Sequence, residues 1–282
     1  MLTIEQQQRF QEDGFLIIPD FLDDHEVAAM RTRIGKIIDD FNIDAVSIFS
    51  TTNQTKTSDA YFIESGDKVR CFFEEAAFDQ NGQLTKPKEK AINKVGHALH
   101  DLDDVFQKVS YKASLKQVAA DIGMIDPLMV QSQYIFKQPK IGGKVVAHQD
   151  STFIYTDPPS CTGFWMALED ATMENGCLMG IPGSHLEPLP DRRFVRNEDG
   201  ASTRFVGVES PQWQLDKMVP LEATKGSLVL LHGSCVHMSL ENRSQQSRHA
   251  YIIHMVEQDT HWPHDNWLQR SADLPFKKLN EN

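Results

Sequence analysis

A histidine and an aspartate separated by one residue, His148 and Asp150, come directly after a short β-like run at 144–147. On a strand, side chains two residues apart point to the same face, and their backbones lie about 6.5–7 Å apart. An imidazole and a carboxylate placed in this way can bind one metal ion, and mixed nitrogen and oxygen donors suit Fe(II) better than metals that prefer thiolates. The pair alone is weak evidence, because a lone histidine is more often a hydrogen-bonded core residue than a ligand.

A second histidine, His237, lies 87 residues after Asp150, and Arg248 follows it by eleven residues. The segment at 226–237 has the pattern of a strand, a glycine turn and the start of another strand. The intervening chain leaves room for several antiparallel strands between the two halves of the motif. His-x-Asp, a distant His and an Arg soon after it is the residue order typical of 2-oxoglutarate oxygenases.

Each residue of this motif has a chemical task. Two histidines and one carboxylate occupy one face of an octahedron around the metal and leave three positions open. 2-Oxoglutarate can fill two of them through its keto oxygen and C1 carboxylate, which leaves one for dioxygen. Its far carboxylate needs a fixed cation, and the Arg248 guanidinium suits this task because its planar fork pairs with both oxygens and stays charged. The sequence therefore predicts a metal site at His148, Asp150 and His237, used with Fe(II), 2-oxoglutarate and O2.

The motif predicts an enzyme that couples oxidative decarboxylation of 2-oxoglutarate, to succinate and CO2, with oxidation of a small organic substrate. Asp150 favours hydroxylation, since related halogenases replace this carboxylate by a small residue and bind a halide there. Two alternatives stay open on the residues alone. One is a non-catalytic jelly-roll module that binds a metal or a ligand, and the other is a zinc hydrolase, which would give Arg248 no task. The sequence does not indicate which substrate is oxidised.

The elements that position these residues change in character along the chain. A short helix is predicted over 3–13, with Thr3 as its N-cap, and a second helix over roughly 24–41. Apolar residues at helical spacing also predict helices over most of 89–122. The first 125 residues are therefore expected to contain most of the helix.

From Leu128 onward, short apolar or alternating runs are separated by glycine, proline and asparagine turn signals. Many short strands at close spacing predict a β-sandwich or barrel, not a parallel sheet with crossover helices. Two polar segments without a period, 47–60 and 186–217, are predicted to be loops that cover the substrate. The predicted strands are 128–137, 143–148, 162–168, 176–181, 218–221, 227–232, 235–239 and 249–257.

The composition is that of an ordinary globular protein, with 24% charged residues and a net charge of −12. This acidic balance argues against nucleic acid and anionic membranes as partners, because both favour basic surfaces. No apolar run approaches about 18 residues, so no transmembrane helix is expected. The termini lack a signal peptide and a peroxisomal tripeptide, and four scattered cysteines suit reduced thiols, so the cytoplasm is the expected location. The sequence points to a small-molecule substrate and to no particular protein partner.

Several long motifs resemble the phytanoyl-CoA dioxygenase family over nearly the whole chain. The resemblance implies a mainly β fold with flanking helices: a double-stranded β-helix (jelly roll, cupin-like) core, and helices mostly from the N-terminal part. It implies one domain over 1–282, with a helix-rich support at 1–125, the core at 126–258 with its insertion at 186–217, and a C-terminal tail at 259–282. The motifs that carry it are at 10–16, 65–70, 92–100, 131–139, 174–177, 181–185 and 266–269.

The resemblance also implies the residues of the site. It places iron at His148, Asp150 and His237 and the far carboxylate of 2-oxoglutarate on Arg248. The further co-substrate contacts that it implies are Lys94, Gln133, Trp165 and Ser239. Ser239 lies two residues beyond His237 on the same strand face, which agrees with a place near the metal. From the residues alone, Lys94 in a helix would be solvated, and Trp165 could be an ordinary core residue.

Overall fold

The computed structural model describes residues 1–42, 47–50, 59–209 and 212–281, and its first two helices follow from local sequence signals. Helix α1 spans Ile4–Asp13 and helix α2 spans Asp24–Asp40. Each begins with a capping box, in which the side chain of Thr3 or Asp23 accepts the backbone N–H three residues later, and the side chain there accepts the N–H of the cap. α1 ends at Gly14, whose φ of 78° is a left-handed conformation that favours glycine.

Four shorter helices also lie in the first half of the chain: α3 (Ala60–Ile63), α4 (Leu99–Leu102), α5 (Asp104–Ser110) and α6 (Ala113–Asp121). The prediction of helix over 89–122 is therefore correct in its later part and wrong at its start. Ile92–His97 forms a strand, and all six of its residues are buried. A strand buried on both faces shows no polar and apolar alternation, so its apolar residues matched a helical period by coincidence.

The strands after residue 127 follow the predicted runs except at 192–196, 203–207 and 277–278, where no strand was predicted, and four strands precede residue 127. In chain order they are β1 (Phe15–Ile18), β2 (Ile48–Phe49), β3 (Val69–Glu74), β4 (Ile92–His97), β5 (Pro127–Lys137), β6 (Val145–His148), β7 (Thr162–Ala167), β8 (Leu178–Gly180), β9 (Arg192–Arg196), β10 (Thr203–Gly207), β11 (Val219–Leu221), β12 (Leu228–His232), β13 (His237–Ser239), β14 (Arg248–Glu257) and β15 (Lys277–Lys278).

Two sheets form the core. The larger has the order β1-β12-β7-β14-β5-β4-β3-β2, with β15 on β5, and the smaller has the order β11-β8-β13-β6. All pairings in both sheets are antiparallel except β2 with β3. The N-terminal part therefore contributes strands as well as helices, because β3 and β4 extend the larger sheet beyond β5.

Side chains on the two faces of the larger sheet pack against different layers, as expected from the period of two along a strand. One face, with Trp165, Val229 and Ile252, packs against Leu178 and Leu221 of the smaller sheet. The other face, with Phe164, Met166, Leu230 and Tyr251, packs against the apolar sides of α1, α2 and α5. The result is a double-sheet jelly roll covered on one side by N-terminal helices, so the predicted fold class is confirmed.

The predictions for the two substrate loops and for the tail compare differently with the structure. The segment at 186–217 contains the antiparallel pair β9–β10, so it is not a structureless insertion. Of the segment at 47–60, residues 51–58 lie outside the described residues, and the described part contains β2 and the start of α3. The tail at 259–282 contacts the body of the protein, since Trp267 and Leu268 are buried and β15 pairs with β5.

Candidate active site

Three ligand-type side chains converge at the edge where the smaller sheet faces the larger one. β6 ends at His148, Asp150 opens the following turn, and β13 begins at His237, which lies opposite His148 in the ladder. The Nε2 atoms of the two histidines lie 3.5 and 3.6 Å from Oδ1 of Asp150. One ligand atom from each residue lies within 4.8 Å of the others, which is a spacing that one metal ion can bridge.

Both imidazoles are turned toward this point by the backbone carbonyls two residues before them in the chain. Nδ1 of His148 donates to the Val146 carbonyl at 2.8 Å, and Nδ1 of His237 donates to the Cys235 carbonyl at 3.0 Å. A carbonyl can only accept, so each Nδ1 carries the proton and each Nε2 presents its lone pair to the metal position. This is the tautomer that a metal ligand requires.

Burial makes the charges of this cluster depend on one another. Burial lowers the pKa of His237 to about 4, so this imidazole is neutral and can act as a ligand at pH 7. Burial disfavours the carboxylate of Asp150, but the neighbouring histidines outweigh it and hold the pKa of that carboxyl well below its usual range. The site therefore offers two imidazoles and one carboxylate, which is the donor set predicted from the sequence.

A third histidine, His254 on β14, contacts the same carboxylate from the larger sheet. Its Nε2 lies 3.2 Å from Oδ2 of Asp150, on the oxygen that the two candidate ligands leave free. Sequence reasoning missed this residue, because one histidine inside an apolar strand gives no motif. The sequence did contain one signal for His254. It lies six residues after Arg248, and residues six apart on a strand share a face, so His254 could have been expected to face the same site as Arg248.

Arg248, the first residue of β14, is 2% exposed, and two of its guanidinium nitrogens, Nε and Nη1, have no hydrogen-bond partner among the described residues. Its guanidinium lies 5.4 Å from the centre of the Trp165 ring. Burial lowers its pKa to about 10, which leaves it charged at neutral pH. A buried cation with unfilled donors is costly unless a ligand pairs with it, so Arg248 fits the anchor of a dicarboxylate.

Lys94 and Gln133 lie side by side on adjacent strands and are not on a solvated helix. Lys94 is 4% exposed, and its Nζ donates to Oε1 of Gln133 at 3.1 Å. The same Nζ lies 3.4 Å from the centre of the Phe49 ring. Burial lowers the pKa of Lys94 well below its ordinary value. The expectation of a solvated lysine is wrong because β4 is an internal strand of the larger sheet.

One cavity of about 160 Å³ is lined by all eight residues predicted for the site. Trp165 and Ser239, on β7 and β13, are both buried and face it from opposite sheets. Within the described ranges, four other histidines, His97, His100, His185 and His232, are not part of its lining. The lining also includes six aromatic residues that sequence reasoning did not assign to the site: Phe49, Phe62, Phe136, Phe153, Phe194 and Trp267.

In the part of the chain that the structure describes, no helix has both the length and the apolar character needed to cross a membrane.

Comparison with known proteins identifies the family. The family model described as phytanoyl-CoA dioxygenase (PhyH) matches residues 10–250. The chain is 46% identical to a phytanoyl-CoA dioxygenase of Arabidopsis thaliana over 97% of its own length and 95% of the relative. It is 44% identical to phytanoyl-CoA dioxygenase domain-containing protein 1 of Mus musculus, with coverage of 99% and 98%.

Two solved structures share the fold at low sequence identity. The epimerase SnoN in complex with Fe3+, alpha ketoglutarate and nogalamycin RO has a TM-score of 0.68 at 14% identity and covers 98% of each chain. EctD from S. alaskensis with 2-oxoglutarate and 5-hydroxyectoine has a TM-score of 0.60 at 19% identity, over 91% of this chain and 76% of that chain. Both agree with the jelly-roll core described above.

The predicted use of Fe(II), 2-oxoglutarate and O2 is that of the matched family, and the cavity contains a candidate metal site with a suitable donor set. The full-length relatives and the family match together decide the enzyme class as well as the fold. The chain belongs to the phytanoyl-CoA dioxygenase family and is a dioxygenase of the oxidoreductase class.

Proposed function

We propose that this enzyme couples the oxidative decarboxylation of 2-oxoglutarate, to succinate and CO2, with hydroxylation of a small organic substrate, and that His148, Asp150 and His237 bind its iron. The observation that carries the proposal is the sharing of one cavity. Three ligand atoms within 4.8 Å of one another and a buried guanidinium with unfilled donors line the same 160 Å³. The three ligand atoms match the iron, and the guanidinium matches the far carboxylate of 2-oxoglutarate.

Bound Fe(II) supplies the redox chemistry that joins dioxygen and the 2-oxo acid. The side chains of the protein bind and orient the co-substrate. Arg248 binds the far carboxylate through two parallel hydrogen bonds, and Lys94, two strands away in the same sheet, adds a second positive charge to the lining. Gln133 orients Lys94 through its 3.1 Å hydrogen bond. Trp165 and Ser239 fix the sides of the co-substrate position, and together these contacts align the co-substrate before reaction.

Water exclusion is the second task of the chain. The segment at 186–217 contributes Phe194 to the cavity lining, and β2 in the segment at 47–60 contributes Phe49. We infer that these two segments cover the substrate, and that the whole chain works as one domain with the sheet core at 126–258. The cytoplasm remains the proposed location, supported by four cysteines that are all free and buried.

The test is an anaerobic titration of the protein with Fe(II) and then with 2-oxoglutarate, observed through the visible metal-to-ligand charge-transfer band. The wild type should develop the band. His148→Ala should not develop it, while His25→Ala, which removes an exposed histidine of α2, should match the wild type. Arg248→Lys should require about ten to a hundred times more 2-oxoglutarate, because it keeps the charge and loses the bidentate fork.

Turnover separates the proposal from its rivals. Iron-loaded protein that consumes 2-oxoglutarate and forms succinate is neither a binding module nor a zinc hydrolase. A folded, iron-loaded wild type without the band would contradict the proposal and favour the binding module.

A further inference from the structure

A buried carboxyl group with an unfilled oxygen lines the cavity and has no task in the proposed function. Glu74 is the last residue of β3 and is 3% exposed. Its Oε1 has no hydrogen-bond partner among the described residues, although it lines the same cavity as the candidate metal site. A buried carboxyl oxygen without a partner is costly, so a ligand group that completes it would be stabilised there.

The antiparallel order of the larger sheet brings Glu74 to the Arg248 end of the cavity. β14 begins at Arg248, which pairs with Lys137 at the end of β5. β4 begins near the same end, because it pairs antiparallel with the last part of β5. β3 runs antiparallel to β4 and ends beside its start, where the Glu74 N–H donates to the Ala91 carbonyl at 2.8 Å. Three strand ends therefore place Glu74, Lys137 and Arg248 in the same part of the lining.

The two neighbouring cations leave the Glu74 oxygen unfilled. Lys137 donates from Nζ to the carbonyls of Gly143 at 2.8 Å and Leu240 at 2.7 Å. Arg248 has Nε and Nη1 without partners in the described part of the chain, so neither nitrogen bonds to Oε1 of Glu74. This end of the cavity therefore combines two free guanidinium donors with one free carboxyl oxygen, all of them buried.

The surroundings of Glu74 allow its carboxyl to exist in both protonation states near neutral pH. Burial raises the pKa of Glu74 to about 7, and the Asn93 side chain, the Lys137 cation, the Gly143 backbone and the Arg248 cation oppose that rise. β2, on the other side of β3, has no titratable side chain. The protonated carboxyl presents a hydroxyl donor, and the ionised one presents only acceptors.

The volume of the cavity decides which molecule meets Glu74. A cavity of about 150 Å³ holds one benzene molecule, and this cavity has about 160 Å³, so it has room for one small molecule. Under the proposed function that molecule is 2-oxoglutarate, with its far carboxylate on Arg248. Glu74 lies at the same end and therefore meets this carboxylate. The ionised form of Glu74 would repel it, whereas the protonated form can donate to it.

We propose that Glu74 is a further co-substrate-binding residue, which donates a hydrogen bond from its protonated Oε1 to the far carboxylate held by Arg248. A hydrogen bond from a hydroxyl group to a carboxylate is short and charge-assisted. The bound carboxylate then fills unpartnered atoms of both residues. The inference rests on the proposed function, which assigns the far carboxylate to Arg248. It implies that the enzyme selects 2-oxo acids by this carboxylate most strongly when Glu74 holds its proton.

The test compares 2-oxoglutarate with 2-oxopentanoate, which chelates a metal in the same way and lacks the far carboxylate. Anaerobic titration of the Fe(II)-loaded protein, observed through the visible charge-transfer band, gives both affinities. The ratio of the two affinities cancels the pH dependence of metal chelation. Between about pH 6 and about pH 8 this ratio should fall in the wild type, because binding requires a proton on a group with a pKa of about 7.

Two glutamine substitutions at adjacent positions give a matched comparison. Glu74→Gln keeps the shape of the side chain and donates from its amide at every pH, so the fall should be about tenfold smaller than in the wild type. Lys94 is present in both proteins, so its own titration cancels in this comparison. Glu75→Gln changes the next carboxyl in the chain, which is exposed and outside the lining, and should retain the wild-type fall.

Two results of these titrations would overturn the proposal. One is an equal fall of the ratio in Glu74→Gln and in the wild type. The other is a ratio that rises with pH in the wild type, which would show that the ionised carboxyl accepts from a ligand.

Infrared difference spectra of the wild type report the proton directly. With Zn(II) as a redox-inert metal, binding of 2-oxoglutarate at about pH 8 should produce the carbonyl stretch of a protonated carboxyl group, because Glu74 is mostly ionised before binding. Glu74→Gln should lack this band. A wild type that binds 2-oxoglutarate without producing it would contradict the assignment.

The proposed function and the role of Glu74 fail in different ways. If 2-oxoglutarate produces the charge-transfer band and Glu74→Gln behaves like the wild type, the role of Glu74 is wrong and the proposed function stands. If folded, iron-loaded protein shows no charge-transfer band, the proposed function fails.

Discussion

Three histidines surround one carboxylate in this protein, and only two of them can share a metal with it. His148 and His237 approach Oδ1 of Asp150, whereas His254 approaches Oδ2 at 3.2 Å. Outer partners of this kind fix the orientation of a metal ligand and increase its basicity. We therefore regard His254 as a positioning residue, because its bond to Oδ2 leaves Oδ1 of Asp150 directed at His148 and His237.

Replacing His254 tests that role. His254→Leu should weaken Fe(II) binding about 10- to 100-fold, because Asp150 loses its outer hydrogen bond. His254→Gln should remain close to wild type, since its amide can donate at a similar reach. Anaerobic calorimetry with Fe(II) gives both affinities. Equal affinities of the leucine variant and the wild type would show that Asp150 is held by other contacts.

A pH dependence follows from the buried lysine. The cationic form of Lys94 exists below its pKa, and burial lowers that pKa well below its ordinary value. As pH rises through this lowered pKa, the charged fraction falls, so 2-oxoglutarate binding should weaken and should be accompanied by proton uptake. Calorimetry in buffers of different ionisation enthalpy measures the uptake. Lys94→Arg stays charged, so an unchanged proton uptake in that variant would contradict the assignment.

At the scale of elements, Arg196 is one of the residues that hold the hairpin β9–β10 on the core, beside Arg193, which pairs with Asp265. We expect Arg196→Met to lose two charge-assisted hydrogen bonds to backbone carbonyls, each of which contributes about 1.5–3 kcal/mol. Hydrogen exchange should accelerate over 192–207 and at 262–268, with little change in β5 and β14. Arg204→Met is the control, because among the described residues the Arg204 side chain hydrogen-bonds within the hairpin, to Asn197. Uniform acceleration across both sheets would indicate global destabilisation instead.

The elements differ in how far local sequence determines them. The capping boxes at Thr3 and Asp23 fixed the starts of α1 and α2, and the turn signals after residue 127 gave the strands of the jelly roll. β4 could not be recognised, because a strand buried on both faces has no period of two. The candidate metal site was predictable since its residues belong to a short motif on two strands. The aromatic lining of the cavity was not, because its rings come from remote segments that meet only in the folded chain.

At the scale of the whole molecule, one buried aspartate joins the helical layer to the tail. The Asp101 side chain in α4 is fully buried and accepts from Arg270 Nη1 at 2.9 Å, with Lys277 Nζ at 3.2 Å. His100 Nε2 lies 3.1 Å from the same carboxylate. This network places the tail against α4, and the tail carries Trp267, which lines the cavity.

Breaking this network should destabilise the protein strongly. Arg270→Leu leaves a buried carboxylate without its main partner, and we expect a loss of about 3–5 kcal/mol in the free energy of unfolding in urea. Lys278→Ala removes the half-exposed pair with Asp126, and we expect a loss below about 1 kcal/mol. Similar losses for the two variants would show that the burial of Asp101 contributes little.

The carbonyls that orient His148 and His237 have a consequence for how this enzyme can diversify. Each imidazole is aimed by the backbone two residues before it, at Val146 and Cys235, so its direction does not depend on which side chains form the opposite wall. The part of the chain that performs oxidation and the part that chooses the molecule to be oxidised are therefore separable. Substitution of the aromatic residues that line the cavity, in evolution or by design, can therefore admit a new compound while the metal ligands stay unchanged.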